Sequence, residues 1–159
     1  MAFALSKMKL ESTAFEPGGK IPQKHTGEGE DTSPAFHWSV VPEGTESFAL
    51  VCHDPDAPRV EDGQYGFVHW VLYNIPGHVR EIPEGVDNYT LGVHSRNKPG
   101  YMGPMPPQGH GVHHYYFMLF ALDEQLMLPE GLTLWQLLEK IEPHLLATNR
   151  LLGTYERTL

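Results

Sequence analysis

The chain has 159 residues, a formal net charge of -9, and 40% hydrophobic against 19% charged residues. That length suits one domain spanning residues 1–159, which buries roughly two thirds of the surface its unfolded chain exposes and can form a core without a disulfide or a metal. The acid excess leaves no surplus of Lys and Arg to neutralise a phosphate backbone, which argues against nucleic acid as a partner.

The opening MAFALSKMKL has too few apolar residues before Lys7 for a signal peptide or a membrane span. A cytoplasmic location without stable membrane insertion is therefore expected, with residues 1–7 as a frayed tail. Met8, Leu10 and Ser12 alternate with Lys9, Glu11 and Thr13, predicting a first strand before the turn EPGGKIP. HTGEGED, from His25 to Asp31, reads as a solvated loop. A short strand near Ala35 to Trp38, the turn Pro42-Glu43-Gly44 and a stronger strand Ser47 to His53 have the punctuation of a hairpin.

GFVHWVLYNIP, Gly66 to Pro76, and HHYYFMLFALD, His113 to Asp123, are rich in β-branched and aromatic residues with little polar alternation. Both are expected as central strands covered on two faces. The stretch from Gly77 to Gly111 between them has no helical period, and a connection that long is usually functional or hides short strands. Thr133 and Gln136 form a capping box ahead of the stripe Leu134, Leu137, Leu138 and Ile141, which predicts a helix. A second short helix is expected around Pro143 to Thr148, then a last strand in RLLGTYE. Many short strands with helix confined to the carboxyl end predict a mainly β fold, an antiparallel β-sandwich with short peripheral helices.

The sequence's densest chemistry is HDPDAP, His53 to Pro58, where two acids and two prolines follow the apolar run Phe48 to Cys52. Proline fixes φ and withholds an N–H, so these acids sit on a stiff turn. Period two puts Asp54 on the face of Leu50 and Cys52, His113 on the face of Tyr115 and Phe117, and His69 on the face of Phe67, Val71 and Tyr73. Three strand ends can thus bring Asp54, His69, His113 and Tyr115 around one pocket. Each has a plainer reading: Asp54 capping its own turn, the histidines as satisfied core residues, Tyr115 as core. The loop NKPGYMGPMPPQGHG, immediately before His113, is stiffened by proline and contains glycines suited to an anion-binding nest of backbone N–H groups. Cys52, the single cysteine, reads as a packed thiol.

DPDAP at Asp54 to Pro58, then His69-Trp70, then GPMPP and GVHHY ending at Tyr115, resemble the phosphatidylethanolamine-binding, or Raf kinase inhibitor-like, family. The ending RLLGTYER is similar to its bacterial and archaeal branch. The resemblance implies a large and a small antiparallel sheet, Greek-key-like, and a pocket for phosphate or phosphoryl head groups at Asp54, Asp56, His69, Gly103, His113 and Tyr115. It departs at His114, where the family usually has Arg, which puts in question the ion pair that an Arg would make with Asp56.

The expected function is therefore that of a binding module for a small phosphorylated or other anionic ligand, with no catalysis, cofactor or metal. A regulatory role toward a protein partner such as a kinase, and a homodimer, are implied by the family alone. The alternative is a small-molecule hydrolase, with or without metal assistance, using the Asp and His side chains of the pocket. Two finer expectations go with the pocket. Ala57-Pro58 is expected as a cis peptide, and Asp54 beside His69 or His113 is expected to raise the pKa of that imidazole.

Overall fold

A computed structural model describes residues 5–57, 60–61 and 64–158. Its strands are β1 (Lys9–Glu11), β2 (Phe36–Ser39), β3 (Ser47–Asp54), β4 (Val60–Glu61), β5 (Gln64–Tyr65), β6 (Phe67–Pro76), β7 (Glu81–Ile82), β8 (Thr90–Leu91), β9 (His113–Leu122) and β10 (Leu145–Tyr155), with one α-helix, α1 (Leu134–Ile141). They form a large sheet in the order β10-β9-β3-β6-β8, a small sheet β1-β2-β7 and a ribbon β4-β5, and all these pairings are antiparallel.

The unbroken apolar runs of β3, β6 and β9 follow from burial on both faces of the large sheet. One face packs against the small sheet: Phe48, Leu50, Cys52, Trp70, Leu72, Phe117 and Leu119 meet Leu10, Phe36 and Trp38. On the other, Ala49, Val51, Val71, Tyr73 and Phe120 are covered by Leu134, Leu137 and Ile141 of α1. That helix starts with the expected capping box, with Thr133 and Gln136 each accepting from the other's backbone N–H. Cys52 lies inside the first layer, where burial pushes its thiol well above the usual range.

Several local expectations change. The Pro42-Glu43-Gly44 turn does not close a hairpin: β2 belongs to the small sheet and β3 to the large one, so the chain crosses between layers there. The second helix is a single 3-10 turn, Glu142–His144, and pairing of Leu145 with Leu122 already begins β10. Of the expected amino-terminal tail, residues 1–4 lie outside the described residues. Leu5 bridges Thr148, and the Ser6 N–H donates to the Thr148 carbonyl at 2.9 Å. The long connection after β6 does contain two short strands, β7 and β8. Its remainder docks along the free edge of β6, through Gly92 N–H to Val71, Ser95 N–H to Val68 and Met102 N–H to His69, each 2.9 Å.

Candidate functional site

A cavity of about 290 Å³ opens at the ends of β3, β6 and β9, lined by Asp54, His69, Gly103, His113 and Tyr115 among others. Asp56 is not part of its lining. It stands half-exposed beside the site, and the HDPDAP turn joins it to Asp54.

Strict alternation would have kept His69 out of this cavity. β3 and β6 pair Cys52 with Trp70 but His53 with Val68, so one extra residue, His69, is accommodated in β6. Such a bulge reverses the parity of a strand. Trp70 and Leu72 then pack between the sheets while Val71 and Tyr73 face α1. The expectation that His69 shares a face with Val71 and Tyr73 is corrected accordingly: its ring lies 5.2 Å from that of Tyr115, centroid to centroid, in an edge-on contact. The loop satisfies the bulge's backbone, since Ser95 Oγ accepts the Val68 N–H at 2.8 Å.

His69 Nδ1 lies 2.5 Å from the Met102 carbonyl, which can only accept, so Nδ1 carries the ring proton. Desolvation lowers the pKa of this imidazole to about 4, against the raising effect of that hydrogen bond. His69 is therefore neutral at physiological pH. The expected carboxylate partner goes to the other histidine: Asp54 Oδ2 receives His113 Nδ1–H at 2.7 Å, and Asp54 Oδ1 receives the Asp56 N–H at 2.8 Å. Burial pushes the Asp54 carboxyl above its ordinary value despite the hydrogen bond from His113. Both plain readings of Asp54, turn cap and pocket wall, are thus present in one side chain.

His113 Nε2 faces His110 Nδ1 at 2.7 Å, which makes a chain Asp54, His113, His110 from the interior to the surface. Pattern reasoning missed His110 because it sits on a Gly-flanked loop without periodicity. It also missed Arg96, the one Lys or Arg among the described lining residues. Tyr115 is fully buried, and its hydroxyl has no hydrogen-bond partner among the described residues.

Gly103 lines the cavity, but its N–H donates to Asp31 Oδ1 at 2.7 Å. Pro104, Pro106 and Pro107 have no N–H, and the N–H groups of Met102, Gly109 and His110 donate to protein carbonyls, which thins the expected nest. HTGEGED is exposed from Gly27 to Asp31, as expected of a solvated loop, but is anchored at its start. His25 and Thr26 are buried, Tyr101 Oη donates to the His25 carbonyl at 2.6 Å, and the Gly27 N–H donates to Pro104 at 2.9 Å, so this segment backs the pocket wall.

His114 takes up Asp56: one carboxylate oxygen is 2.6 Å from His114 Nδ1 and 2.8 Å from its N–H. Desolvation acts upward on Asp56, but the two His114 hydrogen bonds outweigh it and hold the carboxyl below its usual range. Among the described residues no group of three or more His, Cys, Asp and Glu side chains is placed to hold a metal, and Asp54 has both oxygens committed. The bond expected as cis, Ala57-Pro58, lies outside the described residues. Among the described residues no helix is long and apolar enough to cross a membrane.

The phosphatidylethanolamine-binding protein family model matches residues 11–156. The chain belongs to this family. A UPF0098 protein of Aquifex aeolicus is 40% identical, the match covering 94% of this chain and 89% of the relative. One from Methanothermobacter thermautotrophicus is 39% identical over 94% and 99%. Among solved structures, a family homologue from Chlamydia trachomatis superposes with a TM-score of 0.87 at 39% identity, covering 94% of this chain and 97% of that one. E. coli YbcL, described as a member of the mammalian family, does so at 0.86 and 29% identity, over 95% and 99%. These relatives support the large-and-small-sheet sandwich that the family resemblance implied.

Proposed function

We propose that the cavity binds a small phosphoryl-type anion and that the protein acts as a binding module. The observation that carries this reading is the Tyr115 hydroxyl, a buried donor with no partner among the described residues, at the wall of a cavity that also has Arg96 in its lining. An unmet buried hydroxyl costs free energy that a ligand oxygen would recover. Arg96 supplies the permanent positive charge that the neutral His69 does not. The family name, which refers to a phosphoryl lipid, agrees with this class of ligand. The reading is tested by titrating the protein with inorganic phosphate while recording NMR shifts of the His69 and His113 rings. Saturable shifts are expected, and unchanged spectra at millimolar phosphate contradict it.

A further inference from the structure

At the start of β9 two imidazoles face each other across a single hydrogen bond. His113 is 2% exposed and its Nδ1–H is committed to Asp54 Oδ2, which leaves Nε2 as the acceptor of a neutral ring. The nitrogen 2.7 Å away, His110 Nδ1, therefore carries the proton between them. His110 itself is exposed, at the tip of the loop that leads from Pro104 into β9.

The tip, residues 108–112, has little else to hold it. Gly109 and Gly111 flank His110 at positive φ, 71° and 94°, and neither has a side chain to pack. Two backbone contacts remain, from the Gly109 N–H to the Arg157 carbonyl at 2.8 Å and from the His110 N–H to Pro107 at 3.1 Å. Among the described residues, the His110 ring is the one side chain of the tip that hydrogen-bonds to the sheet. Met105, Pro106 and Pro107, immediately before the tip, line the cavity, so the position of the tip bears on one side of its mouth.

One added proton leaves the bond between the rings intact. It can sit on His110 Nε2, or it can pass across, so that His113 Nε2 donates and His110 Nδ1 accepts. A second proton puts hydrogens on both facing nitrogens. Two donors cannot share a 2.7 Å contact, and two like charges are pressed together with them. The charged and titratable groups around the pair are Asp54 of β3, Asp56 of the turn beyond it, Arg96 across the cavity, Arg157 beside Gly109, and Tyr155 of β10, the cross-strand partner of His113. His69 and Tyr115 complete the set, and burial keeps both neutral at physiological pH.

We infer that the His110–His113 pair is an acid-released bolt: with at most one added proton it holds the loop tip against β9, and when both rings are charged the tip swings out and the cavity mouth opens on that side. The bolt governs entry to the cavity whatever its occupant, so the anion reading above can fail without it.

Backbone 15N order parameters of residues 108–112 in the ligand-free full chain, measured between about pH 7.5 and 5, provide the test, with β3 and β9 as the control for global unfolding. At the upper end the tip should match the strands at about 0.85, and toward the lower end it should fall below about 0.6 while the strands keep their values. A tip equally ordered at both ends would overturn the inference. His110→Ala removes the bolt and should leave the tip loose throughout. If that variant were as ordered as the wild type at the upper pH, the backbone contacts would suffice and the bolt would be refuted. His110→Asn keeps an amide near the position of Nδ1, whose N–H donates to His113 Nε2 and whose oxygen accepts from it once it is protonated. This variant should stay ordered through the acid range, and loosening as the wild type does would refute charging of both rings as the trigger.

Discussion

Asp54 Oδ2 and His113 Nδ1 are 2.7 Å apart, and both side chains are about 98% buried. The other carboxylate oxygen accepts the Asp56 N–H, so the residue works as a double acceptor. Asn has one acceptor oxygen and an NH₂ that would face one of those donors. Asp54→Asn should therefore destabilise the fold by about 1–3 kcal/mol, the cost of a buried donor left unmet. It should also release the His113 tautomer. Urea unfolding together with 15N spectra of His113 checks both, and an unchanged midpoint with an unchanged tautomer would remove Asp54 from its orienting role.

Acid should destabilise the protein through His69. Its folded pKa of about 4 lies below the ordinary 6.5, so the unfolded chain binds more protons between these values and stability falls as pH drops through that window. The loss, complete below the folded value, is on the order of 3 kcal/mol. Asp54, whose carboxyl is pushed upward by burial, acts in the opposite sense from the ordinary carboxylate range upward. Comparing His69→Gln with the wild type at pH 7 and 4.5 isolates the imidazole, and the variant should show the smaller acid loss.

Gly103 is required by its surroundings, whatever its relation to a ligand. A Cβ there would run into the His25 carbonyl, Asp31 Oδ1 and Thr26 Cα, mostly atoms of a rigid loop. Gly103→Ala should lower stability by about 2 kcal/mol and shift NMR signals across residues 23–31. If only signals within the cavity moved, at unchanged stability, the packing role would be wrong.

At His114 the structure answers a question that the sequence left open. His114 keeps Asp56 paired through its ring Nδ1 and its backbone N–H, and the two side chains are 43% and 40% exposed. His114→Arg should leave stability within about 0.5 kcal/mol of wild type, whereas His114→Ala should let the Asp56 carboxyl rise toward its ordinary value. A 13C titration of Asp56 in the two variants gives the readout.

The central strands were legible because burial on two faces leaves an unbroken apolar run, and the capping box marked α1 through local chemistry alone. Asp54, His113 and Tyr115 could be gathered because β3 and β9 keep regular alternation up to the pocket. His69 was found by residue type and family resemblance, while its face was misassigned, since a bulge depends on how β6 pairs with β3 and leaves no period in the sequence. The burial of His25 and Thr26 at the start of HTGEGED went unread for a related reason. Its polar atoms are satisfied by residues some seventy positions away, such as Gly103 and Tyr101. Arg96 and His110 sit on loops where placement is set entirely by tertiary docking.

The most direct measurement is phosphate affinity and unfolding stability of Tyr115→Phe beside the wild type. The substitution removes one buried hydroxyl that no described residue satisfies. The ligand-free variant should be as stable as the wild type or up to about 1 kcal/mol more so, because an unsatisfied polar group has been removed from the interior. Its affinity for phosphate should nevertheless fall about tenfold. A variant that binds phosphate as tightly as the wild type would contradict the account, for the hydroxyl would then not be the ligand's partner.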